Sequence, residues 1–509
     1  MLRSRVVRSP SKGIKQLLSN IDSARVRRIH VEPQIAAEPP YFPVSARSGP
    51  STDHFSSLFP LLLCNNQDKL EPSLSERLED LQRNLVAGRE YQIADGWHRL
   101  LKSLELELAE IRDRGSAVIP IADFNLDIEQ DTISGGNLFS SQDLASQIRK
   151  RGIVVIKNVI PPDEAGRLLE DTERICGEPG PIHDIFWSKP QLQARSHPNM
   201  LRVQSALMSL WRSSKPNIMI STNHPVTYAD RIWHDKTAVC NSLNSGSFIP
   251  GIDGGSIERW EDGSYASAYG DILDGAWESY DAMDYAHRVG ACSNIYDTPA
   301  APSVFRMYQG LLSLSTSKFG QGPLRVLPLL KQSTAYTMLR PFFDSLRALN
   351  FIAPTDHFPL TAQGASQEFS EVTHPHLNLN TSMVSMPDIE PGDYVAWHCD
   401  LIQGMNNTSY ASTALYIPVV PLTIPNAQYL VRQRSAFDMR TAPPDFTSSV
   451  DSTDGIPDHF GQQTDIASEP GMRASGLGYA KWDIESASTS VEHNLLCLAN
   501  KIVFGARLI

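Results

Sequence analysis

The stretch Pro391-Gly-Asp-Tyr-Val-Ala-Trp-His-Cys-Asp400 decides the fold that we predict. Its segment Tyr394–His398 is rich in β-forming residues and follows Pro, Gly and Asp, a pattern typical of a strand after a turn. Comparable short runs recur between residues 200 and 440; they are Ser303–Tyr308, Leu311–Ser315, Leu324–Leu327 and Ser412–Val420. Short strands with frequent turn residues between them predict a sandwich or a barrel.

The sequence around these strands divides into four predicted parts. Leucines recur at helical spacing between Leu74 and Arg114, and Gly115 follows as a stop signal. A strand is predicted at Gly152–Lys157, and helices at about 161–176, 276–288 and 333–349. We therefore predict an extended or partly disordered arm over residues 1–70, a helical segment over 71–115, a β-rich domain over 116–440 and a C-terminal extension over 441–509 that packs on it.

Composition excludes several classes of partner. The 509 residues are 41% hydrophobic, which is ordinary for a globular protein, and carry a net charge of -12. Nucleic acids and anionic membranes are bound through clusters of Lys and Arg, which the body of the chain lacks. The longest apolar run, Leu58–Cys64, is too short to cross a bilayer. The six cysteines form no CxxC pair and read as free thiols in a reducing compartment, which predicts a cytoplasmic protein.

Eight segments, taken in order, resemble the YbiU-like proteins, a family assigned to the non-haem iron/2-oxoglutarate oxygenase superfamily. They are Pro225–Arg231, Asp253–Glu261, Gln309–Leu314, Pro323–Pro328, Leu339–Phe343, Pro391–Asp400, Tyr416–Pro421 and Asn426–Leu430. The resemblance implies an α+β protein with a double-stranded β-helix, that is, a jelly-roll or cupin-like core with flanking helices.

The same resemblance implies where iron would bind and shows that this site is degenerate. The superfamily holds Fe(II) with a His-x-Asp pair and a second His, which leaves positions open for 2-oxoglutarate and oxygen. The corresponding positions here are Gly251, Asp253 and Gln403, of which only Asp253 is an expected ligand. Trp233 and Asp235 stand where basic residues would grip a carboxylate, and Arg432 and Arg434 remain as alternative anchors. We therefore expect neither iron nor 2-oxoglutarate as a cofactor.

A displaced set of ligands is the alternative. His398-Cys-Asp400 is formally a His-x-Asp pair that His459 or His493 could complete, and His234-Asp235 and His374-Pro-His376 are further candidates. For each histidine taken separately, a solvated or hydrogen-bonded role is favoured.

The prediction for function is a redox-neutral, metal-independent enzyme of secondary metabolism that reuses the pocket of an oxygenase fold. A cyclisation or hetero-Diels–Alder cycloaddition of a bulky apolar substrate suits such a pocket, because positioning alone supplies ~7–11 kcal/mol of a barrier. The predicted catalytic residues are His398 and Gln403, as donors to a substrate oxygen, and His234 and Lys236, as donor or acid. The predicted substrate-binding residues are Trp233, Asp253, Trp260, Asp400 and Phe343. Core packing is the competing interpretation for Trp260 and Phe343.

Two other functions remain open at this point. One is an active Fe(II)/2-oxoglutarate oxygenase with a displaced ligand set, and the other is a non-catalytic binding protein. The apolar stripes of the helices at 74–114 leave room for a homodimer.

Overall fold

The computed structural model describes residues 72–505 except 129–138, 178–180, 237–247, 299–300, 344–357, 407–409, 447–459 and 467. The predicted N-terminal arm lies outside the described residues, and the division of the chain into four parts stays a prediction. Within the described ranges, no helix is both long enough and apolar enough to cross a membrane.

Strands and helices alternate irregularly along the chain. The strands are β1 Ile121–Asp123, β2 Ile153–Lys157, β3 Ile182–His183, β4 Ile220–Pro225, β5 Ile232–Asp235, β6 Tyr308–Ser313, β7 Leu324–Val326, β8 Val384–Ser385, β9 Tyr394–His398, β10 Gln403–Met405, β11 Ser412–Tyr416 and β12 Pro421–Thr423. The α-helices are α1 Pro72–Val86, α2 Glu90–Arg114, α3 Phe124–Asp127, α4 Gln142–Arg151, α5 Pro162–Ile175, α6 Lys189–Arg195, α7 Pro198–Met208, α8 Glu258–Glu261, α9 Gly263–Ala268, α10 Gly270–Leu273, α11 Leu330–Leu339, α12 Leu379–Ser382, α13 Ile424–Met439, α14 Glu469–Ser475 and α15 Ser490–Phe504.

A seven-stranded sheet forms the centre of the structure. Its strand order is β1-β2-β9-β6-β11-β5-β3. The pair β1–β2 is parallel and the other neighbours are antiparallel. Strands β2 and β9 are buried along almost their whole length, as expected for strands covered on both faces.

The predicted strand at Tyr394–His398 carries the chain from the large sheet to a second one. It ends at His398, and five residues later the chain re-forms as β10 in a three-stranded sheet of order β10-β7-β8. Gly251 extends this sheet by bridging to Gln403 on one side and to Glu368 on the other. Where a chain passes from one sheet to another in this way, the connecting residues lie between the two sheets. Cys399 and Gln403 are in that position.

The predicted α+β class is confirmed, but the jelly-roll core is not. The large sheet is open among the described strands, because β1 and β3 lie at opposite ends of its order and do not pair. The parallel β1–β2 pair at one edge also departs from the purely antiparallel arrangement of a jelly roll.

The N-terminal helices pack on this core as the leucine spacing predicts. Helix α2 buries Trp97, Leu100, Leu104 and Leu108 along one face, and it ends at Arg114 before Gly115. Trp97 stacks on Phe343, with ring centroids 4.6 Å apart. At Gly96 the helix backbone meets the backbone of Gly275 so closely that a Cβ on Gly96 would overlap the Gly275 carbonyl oxygen.

This close approach predicts opposite effects for two Gly→Ala substitutions in helices. At Gly166, in α5, an added Cβ meets nothing within 4 Å, so alanine should stabilise the protein by about 0.5–1 kcal/mol. At Gly96 the overlap with Gly275 outweighs the preference of helices for alanine. Gly96→Ala should therefore lower the free energy of unfolding by about 1–3 kcal/mol, as overpacking does. Urea unfolding of the two variants measures both signs; a stabilising Gly96→Ala would contradict the packing.

Candidate functional site

A group of buried polar side chains lies against one face of the large sheet. We call it the polar centre and define it as Asp230, Asp253, Arg306, Gln309, Cys399, Gln403 and Tyr416. Apart from Cys399, which is partly exposed, these residues are buried. Gln309 and Tyr416 belong to the sheet itself: Tyr416 pairs with Leu311, two residues along β6 from Gln309, so both side chains point to the same face. Such a concentration of buried polar groups is unusual for a core and typical of a functional site.

An ion pair between Asp253 and Arg306 lies at the heart of the polar centre. Nη2 of Arg306 donates to Oδ2 of Asp253 at 2.8 Å, and both side chains are almost completely buried. Burial raises the pKa of Asp253, and the Arg306 guanidinium partly offsets this. Burial also disfavours the charged guanidinium, but the carboxylate outweighs it and raises the pKa of Arg306. Each charge is therefore tolerated because the other is present.

Backbone hydrogen bonds position Asp253. Its N–H donates to the carbonyl oxygen of Cys399 at 3.1 Å, and Gly251 and Gln403 exchange two hydrogen bonds of 2.8 and 2.9 Å. The next residue, Gly254, has a φ of 84°, which glycine adopts readily. The Asp253-Gly-Gly turn is thus fixed to the segment between β9 and β10, which places positions 251, 253 and 403 side by side.

Three buried oxygens of the polar centre have no hydrogen-bond partner within the described part of the chain. They are Oδ1 of Asp253, Oε1 of Gln403 and the hydroxyl of Tyr416. Burial raises the pKa of Tyr416, with Asp230 and Asp253 adding to the rise, so its hydroxyl stays protonated and can donate. Because buried polar atoms are normally bonded, these are the atoms at which a ligand or ordered water would bind.

A second carboxylate is held beside the first. Oδ2 of Asp230 accepts a hydrogen bond of 3.3 Å from Nε2 of Gln309, and the Asp230 backbone carbonyl accepts from Gln191 and Arg195. Asp230 raises the pKa of Asp253 further, because the two negative charges repel.

His398 and Asp400, which are predicted to contact substrate, are hydrogen-bonded within the protein. Nδ1 of His398 accepts from the Asp400 N–H at 3.0 Å, and Nε2 lies 3.0 Å from the carbonyl oxygen of Ala282, to which it donates. The ring stacks on Trp211, with centroids 5.0 Å apart. The Asp400 carboxylate accepts from Tyr269 at 3.0 Å and from Arg288 at 2.7 Å. Burial opposes ionisation of Asp400, but Arg288 outweighs it and holds the pKa of the carboxyl well below its usual range.

Strand register separates both predicted catalytic histidines from the polar centre. His398 pairs with Tyr308, the neighbour of Gln309, so its side chain points to the opposite face of the sheet. His234 pairs with Thr413 and points to that opposite face as well, where its Nδ1 lies 2.8 Å from the Thr413 hydroxyl. The catalytic roles of the two histidines stay predictions that their placement does not support.

The other predicted site residues divide between the two groups. Trp233 pairs with Ala414, two residues from Tyr416, and therefore shares the face of the polar centre; its indole N–H donates to Ser412. Lys236 is exposed, and its Nζ reaches the carbonyl oxygen of Cys176 just beyond the end of α5. Trp260 donates to the carbonyl oxygen of Met338 and packs against Phe358. Trp260 and Phe343 are both buried in the core, and their predicted contacts with substrate stay predictions.

The donor atoms at positions 251, 253 and 403 do not fit a facial iron site. Gly251 offers no side chain, Gln403 offers a neutral oxygen, and Asp253 is already paired with Arg306. Fe(II) in such enzymes is held by two imidazoles and one carboxylate. The displaced pair His398–Asp400 fits no better, because both groups make the hydrogen bonds given above; His459 lies outside the described residues. Arg434 donates to the carbonyl oxygen of Val503 and Arg432 lies over the Tyr429 ring, so neither is an anchor in the polar centre.

Sequence reasoning missed five members of the polar centre. Four of them lie inside segments that carry the family resemblance, and that was the only signal for them; they are Asp230, Gln309, Cys399 and Tyr416. Arg306 lies outside those segments and 53 residues from its partner Asp253, so no local pattern could have joined the two.

Comparison with known proteins places the chain among relatives of similar architecture. The Gig2-like family model matches residues 72–477. The uncharacterized protein YbiU of Escherichia coli (strain K12) is 29% identical over 365 residues, which span 67% of this chain and 82% of YbiU. The crystal structure of GlcNAc Inducible Gene 2, GIG2 (DUF1479), from Candida albicans superposes with a TM-score of 0.74 at 30% identity and covers 84% of this chain and 95% of that one. A hypothetical protein, JW0805 of Escherichia coli, gives 0.68 at 26% identity over 80% and 99%.

The buried ion pair predicts a strongly non-additive pair of substitutions. Asp253→Asn or Arg306→Gln alone leaves one buried charge without its partner, which should cost about 3–5 kcal/mol of unfolding free energy. The double variant removes both charges and should lose less than the sum of the single variants. Urea unfolding of all four proteins gives the coupling energy; strict additivity would contradict a direct interaction.

His398 predicts a loss of stability in acid. Burial lowers its pKa to about 4, so between about pH 6.5 and pH 4 the unfolded chain takes up a proton that the folded protein does not. The unfolding free energy should therefore fall by about 3 kcal/mol through this window for this one group, at about 1.4 kcal/mol per pKa unit. In His398→Gln the slope should be shallower, whatever the loss of stability at neutral pH. Gly166→Ala, which removes no titrating group, is the control and should keep the wild-type slope.

Proposed function

The chain belongs to the Gig2-like family, and we propose that it is an enzyme that carries out a redox-neutral, metal-independent reaction on a small molecule bound at the polar centre. The observation that carries the proposal is the Asp253–Arg306 ion pair, which lies beside two positions that offer no imidazole ligand. Buried oxygens without partners on Asp253, Gln403 and Tyr416 support a bound substrate at the same place.

We infer that the frame of this site derives from a jelly roll. The supporting feature is the passage of the chain from the large sheet to the second sheet between His398 and Gln403, which places the polar centre where two layers meet. In jelly rolls and related barrels such a position is the common site of small-molecule binding.

Four residues of the polar centre have a chemical part in the proposal. Oδ1 of Asp253 and Oε1 of Gln403 accept hydrogen bonds, so they would bind a hydroxyl or N–H group of the substrate. Tyr416 donates, and its hydroxyl would bind a carbonyl or ether oxygen of the substrate. Arg306 holds the Asp253 carboxylate in one place, so no reorganisation is needed when charge develops on the substrate.

Cyclisation or hetero-Diels–Alder cycloaddition of a bulky apolar substrate is the reaction class that we propose within this function. Such reactions need near-attack positioning and a hydrogen-bond donor to a substrate oxygen, and neither requirement involves a metal. Trp233, on the face of the polar centre, supplies a flat apolar surface, and Tyr416 supplies the donor. We place this reaction in cytoplasmic secondary metabolism.

The proposal predicts a specific change in the metabolites of the organism that encodes the protein. Replacing the gene with one that encodes Gln403→Ala/Tyr416→Phe removes one acceptor without a partner and the hydroxyl donor of the polar centre, and it leaves the Asp253–Arg306 ion pair intact. A substrate should then accumulate, and the product that disappears should have the same elemental composition for a cyclisation, or the summed composition of two reactants for a cycloaddition. High-resolution mass spectrometry of the two strains makes the comparison, and Gly166→Ala is the matched control strain.

The other outcomes identify the other functions. A lost product that is one oxygen atom heavier, or two hydrogen atoms lighter, than the accumulated compound would identify an oxygenase and overturn the proposal. No metabolite change, together with normal folding of the variant, would identify a binding protein.

A further inference from the structure

We propose that the guanidinium of Arg306 takes the position of a divalent cation at Asp253 and thereby excludes metal from the polar centre. The inference rests on the proposed function, because it assigns the metal-independence of that function to one residue. The inference concerns the contact between Arg306 and Asp253 in the folded protein, so it can be tested without a known substrate.

The guanidinium binds the carboxylate that a metal at these positions would use. Asp253 is the one carboxylate among the three adjacent positions 251, 253 and 403, which the Gly251–Gln403 backbone bridge holds together. Oδ2 of that carboxylate already binds Nη2 of Arg306 at 2.8 Å. A cation coordinated by Asp253 would therefore lie within a few ångströms of a positive charge.

The charge of Arg306 is permanent. Arginine stays protonated at any physiological pH, and the pKa of this guanidinium is raised further by Asp253. Since the side chains of both residues are at most 5% exposed, little water screens the repulsion between the guanidinium and a second cation. Without imidazoles at positions 251 and 403, metal binding is already weak. The charge of Arg306 adds a repulsion that would lower metal affinity even if histidines stood at both positions.

The surrounding structure keeps the guanidinium in place. The residue after Arg306, Met307, donates its N–H to the carbonyl oxygen of Val419 at 2.9 Å, and the carbonyl oxygen of Arg306 accepts from the Cys399 thiol at 3.5 Å. The guanidinium lies over the ring of Tyr228, 5.9 Å from its centroid. These backbone bonds fix the start of the side chain, which cannot move aside for a metal without losing its contact with the Tyr228 ring and the ion pair.

Restoring the imidazoles with and without the guanidinium tests the inference. Four full-length proteins are compared: the wild type, Gly251→His/Gln403→His, and that double variant combined with Arg306→Gln or with Arg306→Lys. The probe is Co(II), whose visible absorption reports coordination, and calorimetry gives the affinity. Thermal unfolding with and without Co(II) is the independent readout, because a metal that neutralises Asp253 also stabilises the fold.

The expected order of affinity follows from charge. The wild type should bind no stoichiometric Co(II), and the double variant should bind weakly. The Arg306→Gln combination should bind at least about 10-fold more tightly than the double variant, since even the loss of a partner outside the ligand shell changes metal affinity by about 10- to 100-fold. The Arg306→Lys combination is the control: it removes the guanidinium but keeps a positive charge, and it should bind as weakly as the double variant.

Two results would overturn the inference, and they differ. Equal, tight binding by the double variant and both triple variants would show that Arg306 does not exclude metal, and the proposed function would stand. Tight stoichiometric binding by the wild type would overturn the metal-independence of the proposed function itself.

The substitution at position 251 is the one that could disturb folding. A Cβ added there would approach the carbonyl oxygen of Gln367 to 3.1 Å. If the variants that carry Gly251→His do not fold, Gln403→His with and without Arg306→Gln makes the same comparison.

Discussion

The buried ion pair between Asp253 and Arg306 is the interaction on which the polar centre depends. Two charges withdrawn from water are stable only together, so the loop that carries Asp253 and the segment that leads into β6 must remain in register. That register also sets the positions of Gln309 on β6 and of Gln403 across from Gly251. The pair therefore connects the two sheets at the point where the chain passes from one to the other.

A second cluster of buried charges, formed by Arg259, Arg288 and Asp400, packs against the loop that carries Asp253. Arg259 donates to the backbone carbonyl of Asp253 and lies 3.7 Å from the Asp400 carboxylate, which Arg288 also neutralises. Asp400 and its two arginines thus hold the Asp253-Gly-Gly turn against the end of β9. A carboxylate that belongs to such a network serves the fold, and this explains why Asp400 is in the core although it lies beside the polar centre in sequence.

The polar side chains on the two faces of the large sheet differ in their hydrogen bonding. On one face, Gln309 and Tyr416 contribute to the polar centre, where buried oxygens have no partners within the described ranges. On the other face, His398 bonds to protein groups through both ring nitrogens. His234 does so through Nδ1, and its buried Nε2 has no partner in the described part of the chain. Burial lowers the pKa of each ring to about 4. An imidazole that is neutral and internally bonded at physiological pH packs as a core residue does. The chemistry of this protein is thereby concentrated in carboxylate, amide, phenol and guanidinium groups.

The sequence by itself determined the elements whose signals are local. The strand at Ile153–Lys157 and the helices at Glu90–Arg114 and Pro162–Ile175 lie where spacing, turn residues and caps predict them.

The helix predicted at about 276–288 is wrong. The structure has one 3₁₀ turn there, Trp277–Ser279. Asp281 and Arg288 are bound to partners distant in sequence, and these ion pairs hold the segment in turn conformations. The absence of an imidazole at positions 251 and 403 was also visible from the sequence, since it depends on residue identity alone. Only the tertiary structure decided which face of the sheet each side chain meets and that Arg306 is the partner of Asp253. Alternation along a strand fixes which neighbours point apart, but the pairing of strands that are distant in sequence decides what lies on either side.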